Sequence, residues 1–451
     1  MNLSRLMIVM SACAAVTACG GESRDPPPPP DTACHAGGYR MADGEILGLV
    51  ARGPDDIRYV FMSGVTGGIY REDDGLWRSE SKKIVVDLGA CGDPAISFSR
   101  DAATTVGVRI PYTVTETMFD GVDGKRAGRL TLPTDQDTKA IVIAMHGSER
   151  WSGRTGDRLQ SLLPAFGIGV FSFDKRGTGA SDGKYTQDFN ILSDDAVRAR
   201  NEARRLFDAD INIGYFGPSQ GGWVAPLTAS KDADAAFVIA AFGLAISPSR
   251  EDQEEVLKRL REAGYGEDVL EKAREVTDAT RQVVVSNFKG GYKELSAVRK
   301  KYQDEDWYAL IEGEYSGELL RAPNIGIRIV GPLRTRGGNT TWTYEPRSTL
   351  EALETPQLWI LADEDRSAPS ASTLEILQDI QKTNKKLDIV MFPNTDHGII
   401  EFTEDESGVR TFTRVADGYY ALIRDYILTG KPTLSVEGPT VYSPETTLSE
   451  E

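Results

Sequence analysis

Histidine is scarce in this chain, with three in 451 residues: His35, His146 and His397. That shortage leaves little choice of a base that works near neutral pH. It also argues against a metal centre, since His35 beside Cys34 supplies too few ligands. No metal and no cofactor are expected. Positive charge is in deficit too, because 51 Lys and Arg against 68 Asp and Glu leave a formal net charge of −17. A phosphate backbone would be repelled, so nucleic acid is excluded as a partner. The phosphate-loop pattern Gly-x-x-x-x-Gly-Lys-Ser/Thr is absent.

The first residues read as a targeting signal. Arg5 gives a short basic start, and the apolar stretch Leu6 to Val16 is too short to span a bilayer as a helix. Val16-Thr17-Ala18-Cys19-Gly20 resembles the bacterial lipoprotein processing box, which implies cleavage before Cys19 and acylation of its sulfur. A plain secretory peptide cut after Ala18 is the alternative. Gly20, in place of Asp, points to the outer membrane by the usual sorting pattern. The expected location is the cell envelope, with the membrane as partner through the lipid on Cys19. Pro26 to Pro30 then forms a semi-rigid spacer. Of the four cysteines, Cys34 and Cys91 remain in the body, where an oxidising compartment favours a disulfide. Closing that loop would stabilise by about 4 kcal/mol on the loop-entropy model. Two buried free thiols are the alternative.

The expected division is a signal at 1–18, a tether at 19–33, a β-rich domain at 34–114, an α/β core at 115–246 and 346–430, a helical cap at 247–345, and a disordered tail at 431–451. From Tyr39 to Ile110, short apolar runs broken by Gly, Asp and Pro predict a small all-β sandwich or barrel. Beyond it come continuous apolar runs of the kind buried in a parallel sheet: Ala140–Met145, Gly169–Asp174, Ile211–Phe216, Ala236–Ala241, Gln357–Ala362 and Asp388–Phe392. Leu192, Ala196, Ala199, Ala203 and Leu206 recur at helical steps between two of them, which predicts a doubly wound α/β sheet. The charged, helix-forming interval from Ser247 to about Tyr344 is too long for a bare loop and reads as a lid. One more helix is expected over Val415 to Leu428.

Ser219 lies in Gly217-Pro218-Ser219-Gln220-Gly221, between an apolar run and a helix-like segment. A Gly-x-Ser-x-Gly turn in that context lifts a hydroxyl to where a histidine can deprotonate it. Gly179-Ala180-Ser181-Asp182-Gly183 fits the same pattern but has no strand leading in, so Ser181 reads as a loop serine. Serine needs a base, and the base an orienting carboxylate. Asp363, Glu364 and Asp365 follow one predicted strand and His397 the next, so the order Ser, Asp, His places all three groups at strand ends. His35 lies near the tether and His146 in a turn, which leaves His397 as the base. The backbone N–H of Gln220, next after the nucleophile, is one expected oxyanion donor.

These segments resemble the α/β-hydrolase superfamily, and within it bacterial esterase and dipeptidyl-aminopeptidase-type serine hydrolases. The likeness rests on Gly128 to Pro133, Ile143 to Gly147, Asp174 to Ser181, Gly217 to Trp223 and Tyr344 to Pro346. It covers roughly residues 115 to 430. The resemblance implies that Asp365 is the acid, with Asp363 the second choice because the glycine usual at this turn is missing. It also implies that the second oxyanion donor is the N–H of Ser148. Close relatives continue the turn as His-Gly-Ser-Gly-Pro, whereas this chain has Ser148-Glu149-Arg150-Trp151, which could narrow the acyl side. The implied activity is hydrolysis of carboxylic esters of small molecules through an acyl-enzyme. Amide hydrolysis of short peptides, or a non-catalytic binding role on the same fold, are the alternatives.

Overall fold

The computed structural model describes residues 31–335 and 340–444. The signal, Cys19 and the proline run lie outside the described residues. Eight antiparallel strands between Gly37 and Arg109 close into a barrel. Alternation along each strand turns Tyr39, Leu47, Leu49, Ile57, Trp77 and Phe98 into a core of its own. A disulfide joins Cys34, in a short turn at Asp31–His35, to Cys91 on the loop before the seventh strand.

A nine-stranded sheet follows. Its order across the sheet is Thr440–Tyr442, Leu387–Phe392, Gln357–Ala362, Val238–Ala241, Asn212–Pro218, Ala140–Ala144, Ile168–Phe173, Lys125–Pro133 and Tyr112–Asp120. The six strands from Leu387–Phe392 to Ile168–Phe173 are mutually parallel, and the remaining three are antiparallel additions at the two edges. The parallel strands are almost wholly buried because helices cover both faces. One such helix, Phe189–Leu206, buries Leu192, Ala196, Ala199 and Ala203 and starts at Asp188, whose carboxylate accepts from the N–H groups of Asn190 and Ile191. The expected α/β-hydrolase class, with a β-rich domain ahead of a mostly parallel sheet, is the fold observed.

Three elements depart from the sequence reading. The strand Tyr112–Asp120 crosses the expected boundary at 114 and belongs to the large sheet. Residues 431–444 are not disordered, since Thr440–Tyr442 pairs with Met391, Val390 and Ile389 at a sheet edge. The last helix begins at Tyr419, because Val415 ends a strand, Arg410–Val415, paired with Ile400–Glu404.

Between the strands Val238–Ala241 and Gln357–Ala362 the chain leaves the sheet, and the described residues there form the α-helices Pro248–Glu262, Glu267–Val285, Tyr292–Tyr302, Ser316–Arg321 and Asn324–Thr335, followed by the short helix Arg347–Ala352 that leads back into the sheet. The first five of these, with the short turn Asp306–Leu310, bury Leu260, Val283, Leu295 and Trp307 among themselves, so this insertion carries a core separate from the sheet.

Ala140–Ala144 is the first parallel strand, and the chain departs from it in both directions: to Ile168–Phe173 on one side, then to Asn212–Pro218 on the other. The crevice outside the carboxyl ends of these strands is the topological switch point, where open α/β sheets bind ligands.

Candidate active site

Ser219 follows the strand Asn212–Pro218, and Gln220 after it caps the helix Gly221–Ala229. Its φ of 52° lies in the left-handed region, a strained conformation for a residue with a side chain. Glycine makes this turn possible on both sides. A Cβ on Gly217 would meet the carbonyl oxygen of Gly221 at 2.1 Å, and one on Gly222 would meet Cα of Gly243 at 2.6 Å. The turn is tied to the sheet by the Ser219 N–H, which donates to Ala241 at 2.9 Å.

His397 Nε2 stands 3.1 Å from Ser219 Oγ, and His397 Nδ1 stands 2.9 Å from Asp365 Oδ2. Asp365 is 1 % exposed. Its other oxygen accepts from the N–H groups of Ser367 at 2.9 Å and Ala368 at 2.7 Å. A carboxylate so held accepts the Nδ1 proton of the imidazole, which leaves the Nε2 lone pair facing the serine hydroxyl. Asp363 points elsewhere and accepts from Thr395 N–H at 3.3 Å. The imidazole also meets the Phe242 ring edge-on, with centroids 5.0 Å apart.

The loop carrying His397 is braced from behind. Asp396 accepts from the His397 N–H at 2.7 Å and from the Arg366 N–H at 2.9 Å. It also pairs with the buried Arg410 guanidinium at 2.6 Å. Burial opposes the Asp396 charge, but those hydrogen bonds and Arg410 hold its carboxyl below the ordinary range. Burial likewise works against a charged His397. The Asp365 hydrogen bond and the fields of Asp365, Asp396 and Glu314 outweigh it and raise the imidazole above 6.5.

Ser148 lies in the turn just beyond Ala140–Ala144, and Gln220 directly follows Ser219. Neither N–H donates to an acceptor among the described residues. The two turns adjoin, because a Cβ on Gly221 would come within 3.9 Å of the His146 carbonyl oxygen. His146 itself is buried, and neither ring nitrogen has a hydrogen-bond partner among the described residues. Its ring stacks on Trp151 at 5.5 Å, and the Arg52 guanidinium, from the barrel, covers the indole at 4.8 Å. Arg150 turns onto the Tyr185 ring, 4.1 Å from its centroid. Two of the residues expected to crowd the acyl side are therefore spent on packing the turn. Ser181, the second Gly-x-Ser-x-Gly serine, donates to the Asp174 carbonyl and accepts from the Ala127 N–H, which ties a loop.

Two carboxylates of the cap act on the triad through their fields, and the sequence reading did not find them. Desolvation raises Glu314, with His397 pulling the other way. Glu251, on the helix Pro248–Glu262, is raised well above the usual range by desolvation and by the charges of Glu314, Glu255, Asp365 and Asp252. No sequence signal marks these two among the many acidic residues of the cap. Cys34, His35 and Cys91 lie within reach of one another, but the two sulfurs are bonded together.

Residues 136–285, about a third of the chain, match the family described as "Serine aminopeptidase, S33". No curated protein matches the sequence. Among solved structures, an esterase of Pyrococcus furiosus is similar at 15 % identity and a TM-score of 0.38, over 64 % of this chain and 84 % of that one. The proline iminopeptidase of Mycobacterium smegmatis is similar at 16 % identity and a TM-score of 0.39, over 63 % and 92 %. An acylaminoacyl peptidase of Pyrococcus horikoshii, of which the match covers 52 %, is similar at 13 % identity and a TM-score of 0.38 over 80 % of this chain.

Proposed function

We propose that this chain, a serine hydrolase of the α/β-hydrolase fold, cleaves carboxylic esters through an acyl-enzyme on Ser219. The observation that carries the reading is the unbroken line of hydrogen-bond distances from Ser219 Oγ to His397 to Asp365. In the first half-reaction His397 takes the hydroxyl proton as Ser219 Oγ attacks the ester carbonyl carbon. Asp365 keeps the imidazole in the productive tautomer and stabilises the cation. The carbonyl oxygen becomes an oxyanion, for which the unengaged N–H groups of Ser148 and Gln220 are the donors, each supplying roughly 3 kcal/mol. The imidazolium then protonates the departing alkoxide. In the second half-reaction His397 deprotonates a water that attacks the acyl-enzyme, the same donors hold the oxyanion, and the adduct collapses by breaking the bond to Ser219 Oγ, which takes the proton back from the imidazolium as the carboxylic acid leaves.

An alkoxide leaves with less help from a general acid than an amine does, so the triad suffices for esters. Hydrolysis of short peptides is the second reading. It is favoured by one observation: the cap sets the acidic Glu314 within electrostatic reach of His397, suited to a substrate with a free amino group. A fluorophosphonate probe should label Ser219 and fail on Ser219→Ala, with turnover reduced on the order of 10⁶-fold. Comparing p-nitrophenyl acyl esters with aminoacyl anilides separates the two substrate classes. Equal labelling of Ser219→Ala would move the nucleophile elsewhere, and no labelling of the wild type would favour a binding protein.

The body is further proposed to hang from the bacterial outer membrane through a lipid on Cys19, with the proline run as spacer. Among the described residues, no helix is long and apolar enough to cross a membrane.

A further inference from the structure

The turn that carries Ser148 is held by two side chains that take no part in the triad. Lys175, just beyond the strand Ile168–Phe173, is buried, and its ammonium donates to the carbonyl oxygen of Gly147. Tyr185 donates its hydroxyl to the Ser148 carbonyl at 2.6 Å and accepts from Gln187 Nε2 at 3.0 Å. The Tyr185 ring also faces Lys175 Nζ, 5.3 Å from its centroid. Lys175 has no carboxylate within ion-pair distance among the described residues. Burying an unpaired ammonium destabilises a fold, so packing alone does not account for it.

The Gly147 carbonyl and the Ser148 N–H belong to one peptide unit, and no peptide bond in the described chain is cis. In a planar trans unit the C=O and N–H point in opposite directions. Anchoring the oxygen on the buried side therefore aims the N–H at the other side. A cation on the oxygen also draws electron density through the amide and makes the N–H a stronger donor. We infer that Lys175 is a positioning residue that aims and polarises the Ser148 N–H toward the oxyanion, while Tyr185 locks the following peptide. This rests on the reading of Ser219 as the acylated nucleophile.

The groups facing the Lys175 ammonium are Glu149 and Arg150 of the same turn, His146, and the Tyr185 ring. Asp195 lines the same small cavity, but its carboxylate is engaged by Arg126 at 2.8 Å. Burial pulls Lys175 down to about 8, with Glu149 opposing and Arg150 assisting. As pH rises through that value the ammonium becomes a neutral amine and its pull on the amide weakens. The rate should fall on the alkaline side for this reason.

The test measures kcat and KM for a p-nitrophenyl ester from pH 6 to 10, in wild type, Lys175→Met, Lys175→Arg and Tyr185→Phe, with Ser219→Ala as blank. Lys175→Met should lose on the order of tenfold to a hundredfold in kcat, less than the loss of a whole donor. Its KM should move less than about twofold, because the donor acts in the transition state. Its alkaline limb should vanish, and Lys175→Arg should recover part of the rate without restoring that limb. A wild-type kcat in Lys175→Met, or the same alkaline limb in both proteins, overturns the inference. If Lys175→Met does not fold, the wild-type profile decides, since a flat rate from pH 7 to 10 also overturns it. Absence of Ser219-dependent turnover in the wild type would instead overturn the parent reading.

Discussion

Replacing Asp365 by Asn should be more damaging than its near-identical shape suggests, and the reason lies in how the carboxylate is held. One oxygen accepts from two backbone N–H groups, at 2.9 and 2.7 Å, and the other meets His397 Nδ1 at 2.9 Å. In Asp365→Asn the amide oxygen must face the two N–H donors, because its NH₂ would clash with them. The NH₂ then faces Nδ1 and donates to it. His397 is forced into the tautomer with its proton on Nε2, where it meets Ser219 and cannot accept the hydroxyl proton. The expected loss is about 10⁴-fold in kcat, or about 5.4 kcal/mol of transition-state stabilisation at 1.36 kcal/mol per decade. Asp365→Ala leaves Nδ1 unforced, so it should be no worse than Asp365→Asn. Asp363→Asn alters only the 3.3 Å contact with Thr395 and should change kcat less than about threefold. The assay is p-nitrophenyl butyrate hydrolysis at pH 7.5, with circular dichroism confirming that each variant is folded. A loss below tenfold in Asp365→Asn, or an equal loss in Asp363→Asn, would refute the argument.

Three further outcomes are expected. His397 must be neutral to act as base and its ordinary value is raised, so kcat/KM should climb with pH through a midpoint above 6.5. Glu314→Gln removes a negative charge that favours the imidazolium, so that midpoint should move to lower pH, and an upward move would contradict the assignment. For the proposed membrane tether, metabolic labelling with a palmitate analogue in a bacterial host should mark the wild type and not Cys19→Ser, which should partition with the soluble fraction; equal labelling of both would remove Cys19 from the role.

The central sheet was legible because its strands are buried on both faces and so read as unbroken apolar runs. Gln357–Ala362 has the same limits in sequence and structure. Where burial is one-sided or brief, that signal fades. The hairpin Ile400–Glu404 with Arg410–Val415 is largely exposed and carries a register shift at Glu401/Phe402, so no period survives. Thr440–Tyr442 is three residues long, shorter than any pattern. Ser219 and His397 could be named from chain order, because each follows a recognisable strand. Asp363 and Asp365 both follow one strand, and only backbone geometry at Ser367 and Ala368 separates them. Lys175 escaped notice as a functional residue because its partner is a main-chain oxygen, which leaves no trace in side-chain composition.

The sandwich of Arg52, Trp151 and His146 ties the fate of the two folded units together. The guanidinium belongs to the barrel strand Ile46–Gly53, yet the indole it covers stands three residues from Ser148. An excised α/β core would lose that cover from one face of the indole and keep only the stacking on His146. The barrel thus lends a side chain to the turn beside the proposed triad, and trimming the chain at residue 111 would remove that support.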